Sequence, residues 1–242
     1  MGPDRRLCAR YQWLPRRNLF ARCRLTWRRK SACRSSPRGS AMRYAAFLGL
    51  SGVLLTGCVT APPEHPGNIC SVFKEKRSWY HAAMKAQRKW AVPVSVPMAI
   101  MYQESGFHAA LHTKRTYFLW IVPTGYVTSA YGYPQAKNAT WRDFERRTDQ
   151  SASRDDFHDA LDFMSWYIVQ SRHQFGIPVT DARRQYLAYH EGWGGYRARS
   201  YTQKTRLLRI ADQVSVRAQL YAQQLAACRE DLQDHGFWSW LF

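Results

Sequence analysis

A run of apolar residues that ends in a single carboxyl group is the feature that most constrains this chain. Met98, Ile100 and Met101 lead up to Glu104, and the residues SGF at 105–107 follow at once. A carboxyl group emerging from an apolar helix end is poorly solvated, so its pKa is expected to rise. Such a group keeps a proton near pH 7 and can donate it to a leaving oxygen. The alternative is an ordinary amphipathic helix whose terminal Glu is solvated.

Helical spacing of apolar residues dominates the chain after residue 77. It predicts helices over 78–90, from Pro97 to Glu104, from Ser153 (the predicted N-cap) to Gly176, over 181–191, and from 207 to 228. Residues 108–140 have no clean period, and we expect a long irregular loop region with at most a short strand near 117–122. Because no alternating strand pattern occurs, the predicted fold class is all-α, mainly helical.

Charge divides the chain into a leader and a body. The formal net charge is +19, and residues 1–41 alone hold twelve Arg or Lys against one acid, a net of +11. We expect this Arg-rich segment to be an upstream extension that is absent from the mature protein, with a basic nucleic-acid-binding or transit arm as the alternative. The body is moderately basic, which favours anionic partners. Its basic residues are scattered and no binding motif occurs, so we expect no nucleic-acid partner.

Residues 42–57 have the layout of a signal peptide. A short basic start precedes the almost wholly apolar run 45–56, which is too short to span a bilayer. The run ends in LTGC at 55–58, which resembles the lipobox of bacterial lipoproteins. This resemblance implies that Cys58 is diacylated and becomes the mature N-terminus, anchoring a periplasmic protein in a membrane. Val59, rather than Asp, follows Cys58 and favours the outer membrane of a Gram-negative bacterium.

Three of the six cysteines lie in the leader, residues 1–41, and the other three are Cys58, Cys70 and Cys228. If Cys58 carries lipid and the leader is removed with its three cysteines, Cys70 and Cys228 are the pair left in an oxidising compartment, and we predict a disulfide between them. We expect residues 58–76 to be a linker, of which the part between Cys58 and Cys70 reaches at most about 40 Å. The globular domain is expected over 77–229, followed by an aromatic C-terminal tail over 230–242.

Three short patches carry a resemblance to a known family: QESGF at 103–107, GYPQ at 132–135 and AYHEG at 188–192. Together they resemble the lysozyme-like lytic transglycosylases of the soluble-lytic-transglycosylase type, which cut bacterial peptidoglycan. QESGF at 103–107 is similar to the family's Glu-Ser motif at a helix end. GYPQ at 132–135 is similar to its Gly-Leu-Met-Gln patch, and AYHEG at 188–192 to its Ala-Tyr-Asn-x-Gly patch. Their order and rough spacing also fit the family. The resemblance implies a lysozyme-like fold that binds peptidoglycan glycan strands.

Carried over to this sequence, the resemblance makes Glu104 the single catalytic acid and base. Ser105, Gln135, Tyr189 and His190 become the substrate-binding set. Ser105 would support the helix end through its hydroxyl, Gln135 would line the sugar groove, and the Tyr189 hydroxyl would lie beside the Glu104 carboxyl. His190 replaces the family's Asn. The expected reaction cleaves the MurNAc-GlcNAc β-1,4 bond and forms 1,6-anhydroMurNAc, because the C6 hydroxyl of the sugar can attack C1 without a second carboxylate.

Two other functions remain open at this stage. A muramidase-type hydrolase on the same fold would need a second acid near Glu104, for which Glu191 or Asp143 is available. Products with reducing ends, rather than anhydro ends, would identify it. A non-catalytic envelope lipoprotein that only binds glycan is the other alternative, and its binding would survive the substitution Glu104→Gln.

Metal chemistry has little support in the sequence. His190 and Glu191 begin an HExxH-like pattern, but Gly194 stands where the second His is required. His108 and His112 would share a face only if that stretch were helical. None of the cysteines has metal-finger spacing. We therefore expect neither a metal nor a cofactor.

Overall fold

The computed structural model describes residues 60–118 and 122–238. The predicted extension 1–41, the signal peptide 42–57 and the lipidation site Cys58 lie outside the described residues. Seven helices and one two-stranded sheet are found in the described part: α1 Ile69–Glu75, α2 Arg77–Trp90, α3 Ser95–Ser105, β1 Arg115–Phe118, β2 Val122–Tyr126, α4 Asn138–Thr148, α5 Phe157–Phe175, α6 Ala182–Arg197 and α7 Thr205–Trp238. The predicted mainly helical, lysozyme-like class is confirmed.

Helix α3 is the central helix of the fold. It packs against α5, α6 and α7, and its residues from 95 to 101 are all buried. A helix that is apolar on all sides must be enclosed by others, since no face of it can be left to water. Pro97 lies in the first turn of α3, as predicted. A proline is tolerated there because it lacks only an amide hydrogen that would have no helical partner.

Helix α5 lies beside α3 and contributes four buried aromatic residues to the core. Its predicted buried face is confirmed, because Phe157, Leu161, Met164 and Ile168 are each at most 3% exposed. The predicted N-cap at Ser153 is wrong. The Asp156 side chain accepts the capping hydrogen bond instead, from the amide of residue 159 at 3.0 Å, because residues 153–156 form a turn before the helix begins.

Helices α6 and α7 run further than predicted. The backbone of Gly192 is non-helical (φ 70°, ψ 166°), yet α6 resumes after this kink and continues to Arg197. Helix α7 extends past Cys228 to Trp238, so residues 230–238 of the expected tail are helical. None of the helices in the described part of the chain is both long and apolar enough to cross a membrane.

The irregular region between α3 and α4 contains a small hairpin. Strands β1 and β2 are antiparallel, with a register shift between Thr116 and Tyr117. The sequence pattern predicted one short strand near 117–122, whereas the strands lie on either side of residues 119–121. The expectation of at most a small β element is confirmed.

Residues 63–68, which we call the strap, are packed on the folded body rather than extended. Pro63 is buried, and the amide of Glu64 donates a hydrogen bond of 2.9 Å to Oε2 of Glu75 in α1. The Tyr221 hydroxyl of α7 donates a hydrogen bond to the main-chain carbonyl of Pro66. The expected linker is therefore part of the fold from Pro63 onward.

The predicted Cys70–Cys228 disulfide is confirmed. It joins α1 to α7, with the two Cα atoms 6.1 Å apart and 158 residues of chain between them. Beside it, the amide of Ile69 donates a hydrogen bond of 3.0 Å to the Gln224 side chain of α7. The strap, α1 and the last helix thus form one joined edge of the body.

Candidate active site

One pocket of about 360 Å³ collects most of the residues that the sequence motifs singled out. Its wall is formed by the end of α3, the loops around the hairpin, α5 and the kinked end of α6. The lining residues are Glu104, Thr113, Ala130, Gln135, Ala136, Lys137, Thr140, Phe163, Tyr167, Tyr189, His190, Glu191 and Gly192. Residues from all three motif patches therefore meet in one place, although they lie far apart in the chain.

Glu104 enters this pocket from the last turn of α3. Gly106 ends the helix in the left-handed conformation (φ 58°), and its amide donates a hydrogen bond of 2.9 Å to the carbonyl of Tyr102. Phe107 also has a positive φ and is completely buried, packing against Trp79 with 5.8 Å between ring centroids. This buried aromatic residue holds the helix end on the core and so fixes where Glu104 projects.

The surroundings of Glu104 favour its neutral form. Its side chain is partly buried, and within residues 60–118 and 122–238 it makes no ion pair. Desolvation by burial raises the pKa of the Glu104 carboxyl to about 8, and no nearby charge offsets this. At pH 7 the group is therefore mainly protonated and able to act as a proton donor.

Ser105 lies behind the helix end and does not line the pocket. It is buried, and its hydroxyl donates a hydrogen bond of 3.3 Å to the carbonyl of Met101, one turn earlier in α3. The expectation that its hydroxyl supports the helix end agrees with this contact. Its place in the substrate-binding set does not, because residue 105 falls on the side of α3 that faces the core.

Gln135 lines the pocket and also holds the loop that carries it. Its side-chain amide nitrogen donates to the carbonyls of Leu111 at 2.7 Å and Gly132 at 2.9 Å. Both amide hydrogens are used in this way, which leaves the side-chain oxygen as the group that can accept a hydrogen bond from a ligand. Gln135 adopts a positive φ of 50°, a conformation that these two hydrogen bonds help to maintain.

Gly132 allows the same loop to approach Arg154 closely. A Cβ atom at this position would lie 2.1 Å from the main-chain oxygen of Arg154, and φ is +77°. The next amide, of Tyr133, donates to that oxygen at 2.9 Å. The Arg154 side chain in turn donates to the carbonyl of Ala136 at 2.8 Å. The glycine of this patch is therefore required by the backbone contact that shapes the pocket wall.

Tyr189 lines the same pocket as Glu104, and its hydroxyl is hydrogen-bonded to the main chain. It donates to the main-chain carbonyl of Pro134 at 2.5 Å, so its single hydrogen is not available to Glu104. Burial raises the pKa of Tyr189 well above its usual value, and the nearby Glu104 carboxylate contributes to this rise. Tyr189 therefore lies close to Glu104 while its hydroxyl fastens the loop that bears Gln135.

His190 and Glu191 complete the α6 side of the pocket. The Nδ1 atom of His190 lies 3.2 Å from Oε1 of Glu191. Lys204 places its ammonium 2.8 Å from both oxygens of that carboxylate, and the Ser200 hydroxyl donates to Oε2. Burial acts to raise the pKa of Glu191, but the hydrogen bonds from Lys204, Ser200 and His190 outweigh it and the pKa is lowered. Glu191 is ionised and fully engaged.

Asp143, the other candidate for a second acid, is not a pocket residue. It lies on α4, where it pairs with Arg146 at 2.5 Å and Arg147 at 3.0 Å. The two carboxyl groups that line the pocket are thus Glu104, which is neutral and has no ion-pair partner among the described residues, and Glu191, which is ionised and paired. Environments that shift the pKa values of two carboxyl groups in opposite directions are characteristic of sites with distinct acid and anion roles.

Several lining residues gave no usable signal in the sequence. Phe163 and Tyr167 lie on α5 with helical spacing, which is equally typical of core residues. Thr113 and Lys137 belong to the irregular region, where no periodicity applies. Their place in the pocket follows from the tertiary fold alone.

The described residues hold no cluster of three His, Cys, Asp or Glu side chains that could bind a metal ion. The stretch bearing His108 and His112 is not helical. The ring of His112 is instead stacked between Tyr126 and Tyr131, with 4.3 Å between ring centroids on each side.

Comparison with known proteins agrees with this geometry. A family model described as the transglycosylase SLT domain matches residues 46–228. Among curated proteins, none matches the chain. The matched stretch contains Glu104, Gln135 and Tyr189 and covers most of the chain. The chain therefore belongs to the transglycosylase SLT domain family, the lytic transglycosylases of the lysozyme-like superfamily.

Proposed function

We propose that this protein is a peptidoglycan lytic transglycosylase that cleaves the MurNAc-GlcNAc β-1,4 bond and leaves a 1,6-anhydroMurNAc end. The observation that carries the proposal is the state of Glu104, a desolvated carboxyl group with a pKa near 8 in a pocket with Gln135 and Tyr189. Breaking a glycosidic bond requires a proton for the leaving oxygen, and a neutral carboxylic acid at this position supplies it.

The proposed reaction needs one carboxyl group. Glu104 donates its proton to the bridging oxygen, the bond from that oxygen to C1 of MurNAc breaks, and its electron pair leaves with the GlcNAc hydroxyl. Positive charge develops at C1, and the C6 hydroxyl of the same sugar attacks it. The C6 proton passes to the Glu104 carboxylate, which restores the acid. An intramolecular nucleophile has an effective concentration of about 10⁵ M or more, so no activated water is needed.

A muramidase-type hydrolase is less well supported by the same pocket. Inverting and retaining hydrolysis both require a second carboxylate that is free to act on water or on C1. Glu191 is the pocket carboxylate that could serve, but its side chain is 4% exposed and is bound by Lys204. It would have to break that ion pair before it could act as a base or a nucleophile.

Mass spectrometry of the fragments released from purified peptidoglycan tests this proposal. We expect anhydro ends from the wild-type protein and at least about a hundredfold lower turnover from Glu104→Gln, because general-acid catalysis contributes 10²–10⁴-fold. Glu230→Gln makes the same chemical change at an exposed site on α7 and should leave turnover unaltered. Reducing ends would identify a hydrolase. Equal glycan binding without turnover by wild type and Glu104→Gln would identify a binding protein.

We further propose that the protein is anchored by lipid on Cys58 to the periplasmic face of the outer membrane. The basic start at 42, the apolar run 45–56 and the LTGC sequence at 55–58 support this proposal. Metabolic labelling with a fatty acid should mark the wild-type chain and not Cys58→Ser. Membrane fractionation should find the Cys58→Ser protein no longer in the outer-membrane fraction. Label retained on Cys58→Ser would contradict lipidation at this residue.

A further inference from the structure

Glu191 is the most tightly bound charged side chain of the pocket. Its side chain is only 4% exposed, and its two oxygens receive both Lys204 contacts, the Ser200 hydroxyl and the Nδ1 side of His190. A buried carboxylate with so many donors remains ionised, since each donor stabilises the charged form. Glu191 therefore has a structural role, and neither of its two oxygens is free to take part in a proton transfer.

The donors come from two different parts of the chain. His190 immediately precedes Glu191 on α6, whereas Ser200 and Lys204 lie in the segment 198–204 that leads to α7. The helix kinks at Gly192 between these parts. The amide of Ser200 also donates a hydrogen bond of 3.0 Å to the carbonyl of Gly195. Glu191 therefore closes a ring of contacts that connects the kinked helix to the segment after it.

His190 is the member of this group that a ligand can reach. Its side chain is 46% exposed and lines the pocket. With Nδ1 directed at the Glu191 carboxylate, Nε2 is the ring nitrogen left for a ligand. A carboxylate on one ring nitrogen fixes the orientation of the imidazole and the tautomer in which the other nitrogen accepts a hydrogen bond.

We propose that Glu191, through its contacts with Lys204, Ser200 and His190, is a positioning residue that orients His190 Nε2 to accept a hydrogen bond from a hydroxyl or amide N–H of the glycan. This inference deepens the proposed function and rests on the same pocket. It assigns Glu191 to ground-state binding of glycan and leaves the proton transfers to Glu104. Lys204, which does not line the pocket, acts through Glu191.

A double-mutant cycle with steady-state kinetics tests the assignment. Glu191→Gln and Lys204→Met each break the same ion pair, so each should raise KM for a muropeptide oligosaccharide about five- to tenfold, the effect of one lost hydrogen bond. The KM of the double variant should be about equal to that of either single variant, because the two residues act as a unit. Values of kcat should stay within about threefold, and Lys204→Arg should restore KM.

A matched control is provided by the Arg183–Asp212 ion pair, which also connects α6 to α7 but lies outside the pocket. Asp212→Asn should leave KM unchanged. A hundredfold loss of kcat in Glu191→Gln without a similar loss in Lys204→Met would overturn the proposal, since it would make Glu191 a chemical participant. A KM in Glu191→Gln and Lys204→Met equal to that of Asp212→Asn would overturn it as well.

Binding measurements separate this inference from the proposed reaction. In a Glu104→Gln background, calorimetric titration with the same oligosaccharide should show a dissociation constant five- to tenfold higher when Glu191→Gln is added. This result does not require turnover, so it holds even if the protein proves to be inactive. Circular dichroism of each variant identifies unfolding, and Lys204→Met, which breaks the same ion pair, provides a folded substitute if Glu191→Gln fails to fold. Unchanged affinity in the folded variant that lacks the ion pair would overturn the positioning role.

Discussion

The hydroxyl of Tyr189 on α6 donates its hydrogen to the main-chain carbonyl of Pro134, 2.5 Å away, and so ties the helix to the loop that carries Gln135. Two motif patches that lie about fifty residues apart in the chain are joined by this one bond. Tyr189 thereby acts on the shape of the pocket that it lines together with Glu104.

Tyr189→Phe should loosen the pocket loop. We expect the free energy of unfolding to fall by about 1 kcal/mol, as for one lost hydrogen bond, and kcat/KM to fall more steeply, because Gln135 is no longer held in place. Denaturant melts and kinetics on oligosaccharides measure the two effects. Tyr221→Phe is the matched control, since the Tyr221 hydroxyl also donates to a main-chain carbonyl, that of Pro66, and Tyr221 does not line the pocket. Equal losses of kcat/KM in both variants would contradict the role assigned to Tyr189.

The high pKa of Glu104 predicts how stability depends on pH. Burial raises this pKa from 4.5 to about 8, so the folded protein holds a proton that the unfolded chain releases between those values. The free energy of unfolding should therefore decrease as pH rises from about 4.5 to about 8 and level off above it. Glu104→Gln removes this contribution. Its Tm should exceed that of the wild type by a margin that grows from pH 5 to pH 8, and a constant margin would show that Glu104 is not desolvated.

The same pKa sets the alkaline limit of activity. Protonated Glu104 is the active form, so kcat/KM should decline as pH rises through about 8. A pH profile on soluble oligosaccharides tests this expectation. A decline centred near the ordinary glutamate value of 4.5 would show that the acid is solvated in the free enzyme.

Gly132→Ala should be strongly destabilising. The new Cβ would meet the main-chain oxygen of Arg154 at 2.1 Å in a backbone with φ +77°, so the loop must move and the free energy of unfolding should fall by more than about 2 kcal/mol. Gly176→Ala separates strain from clash, because φ is +65° there and nothing lies within 4 Å of the added Cβ. It should lower the free energy of unfolding by about 1 kcal/mol. Similar values for the two variants would mean that the Arg154 contact does not constrain the loop.

Removal of the Cys70–Cys228 disulfide should lower stability by up to about 5 kcal/mol, since the bond closes a loop of 158 residues in the unfolded chain. Guanidinium melts of the Cys70→Ser/Cys228→Ser variant, compared with reduced wild-type protein, measure this effect. If the variant and the reduced wild-type protein lose the same free energy of unfolding, the loss is due to the missing bond. If only the variant loses stability, the loss is due to the serine side chains, for example to poorer packing at the buried position 228.

The helices and the desolvated carboxyl group of Glu104 could be predicted from the sequence because they depend on local patterns. The apolar run before Glu104 predicts a buried helix, and the spacing of Leu161, Met164 and Ile168 predicts a helix with one buried face. Gln135 and Tyr189 were found through short motifs whose order and spacing resemble a family. In each case a few neighbouring residues carry the information.

The contacts of the site depended on residues that are distant in the chain and could not be predicted. Nothing near Glu191 indicates that Lys204 would bind it, because the pairing depends on the turn after the Gly192 kink. The sequence around Tyr189 likewise does not indicate that Pro134 is its partner. Residues 58–76 were expected to be a linker, and only the tertiary fold shows the surfaces that the strap covers.

The strap has a consequence for where the protein can act. Since the chain is packed on the body from Pro63 onward, a lipid on Cys58 would be separated from it by residues 59–62 alone, a span of at most about 17 Å. Such an anchor has little slack, so the protein would reach only the glycan strands closest to its own bilayer. Peptidoglycan farther from the membrane than the anchor and the folded body together extend would be out of its reach, however much of the protein the membrane holds.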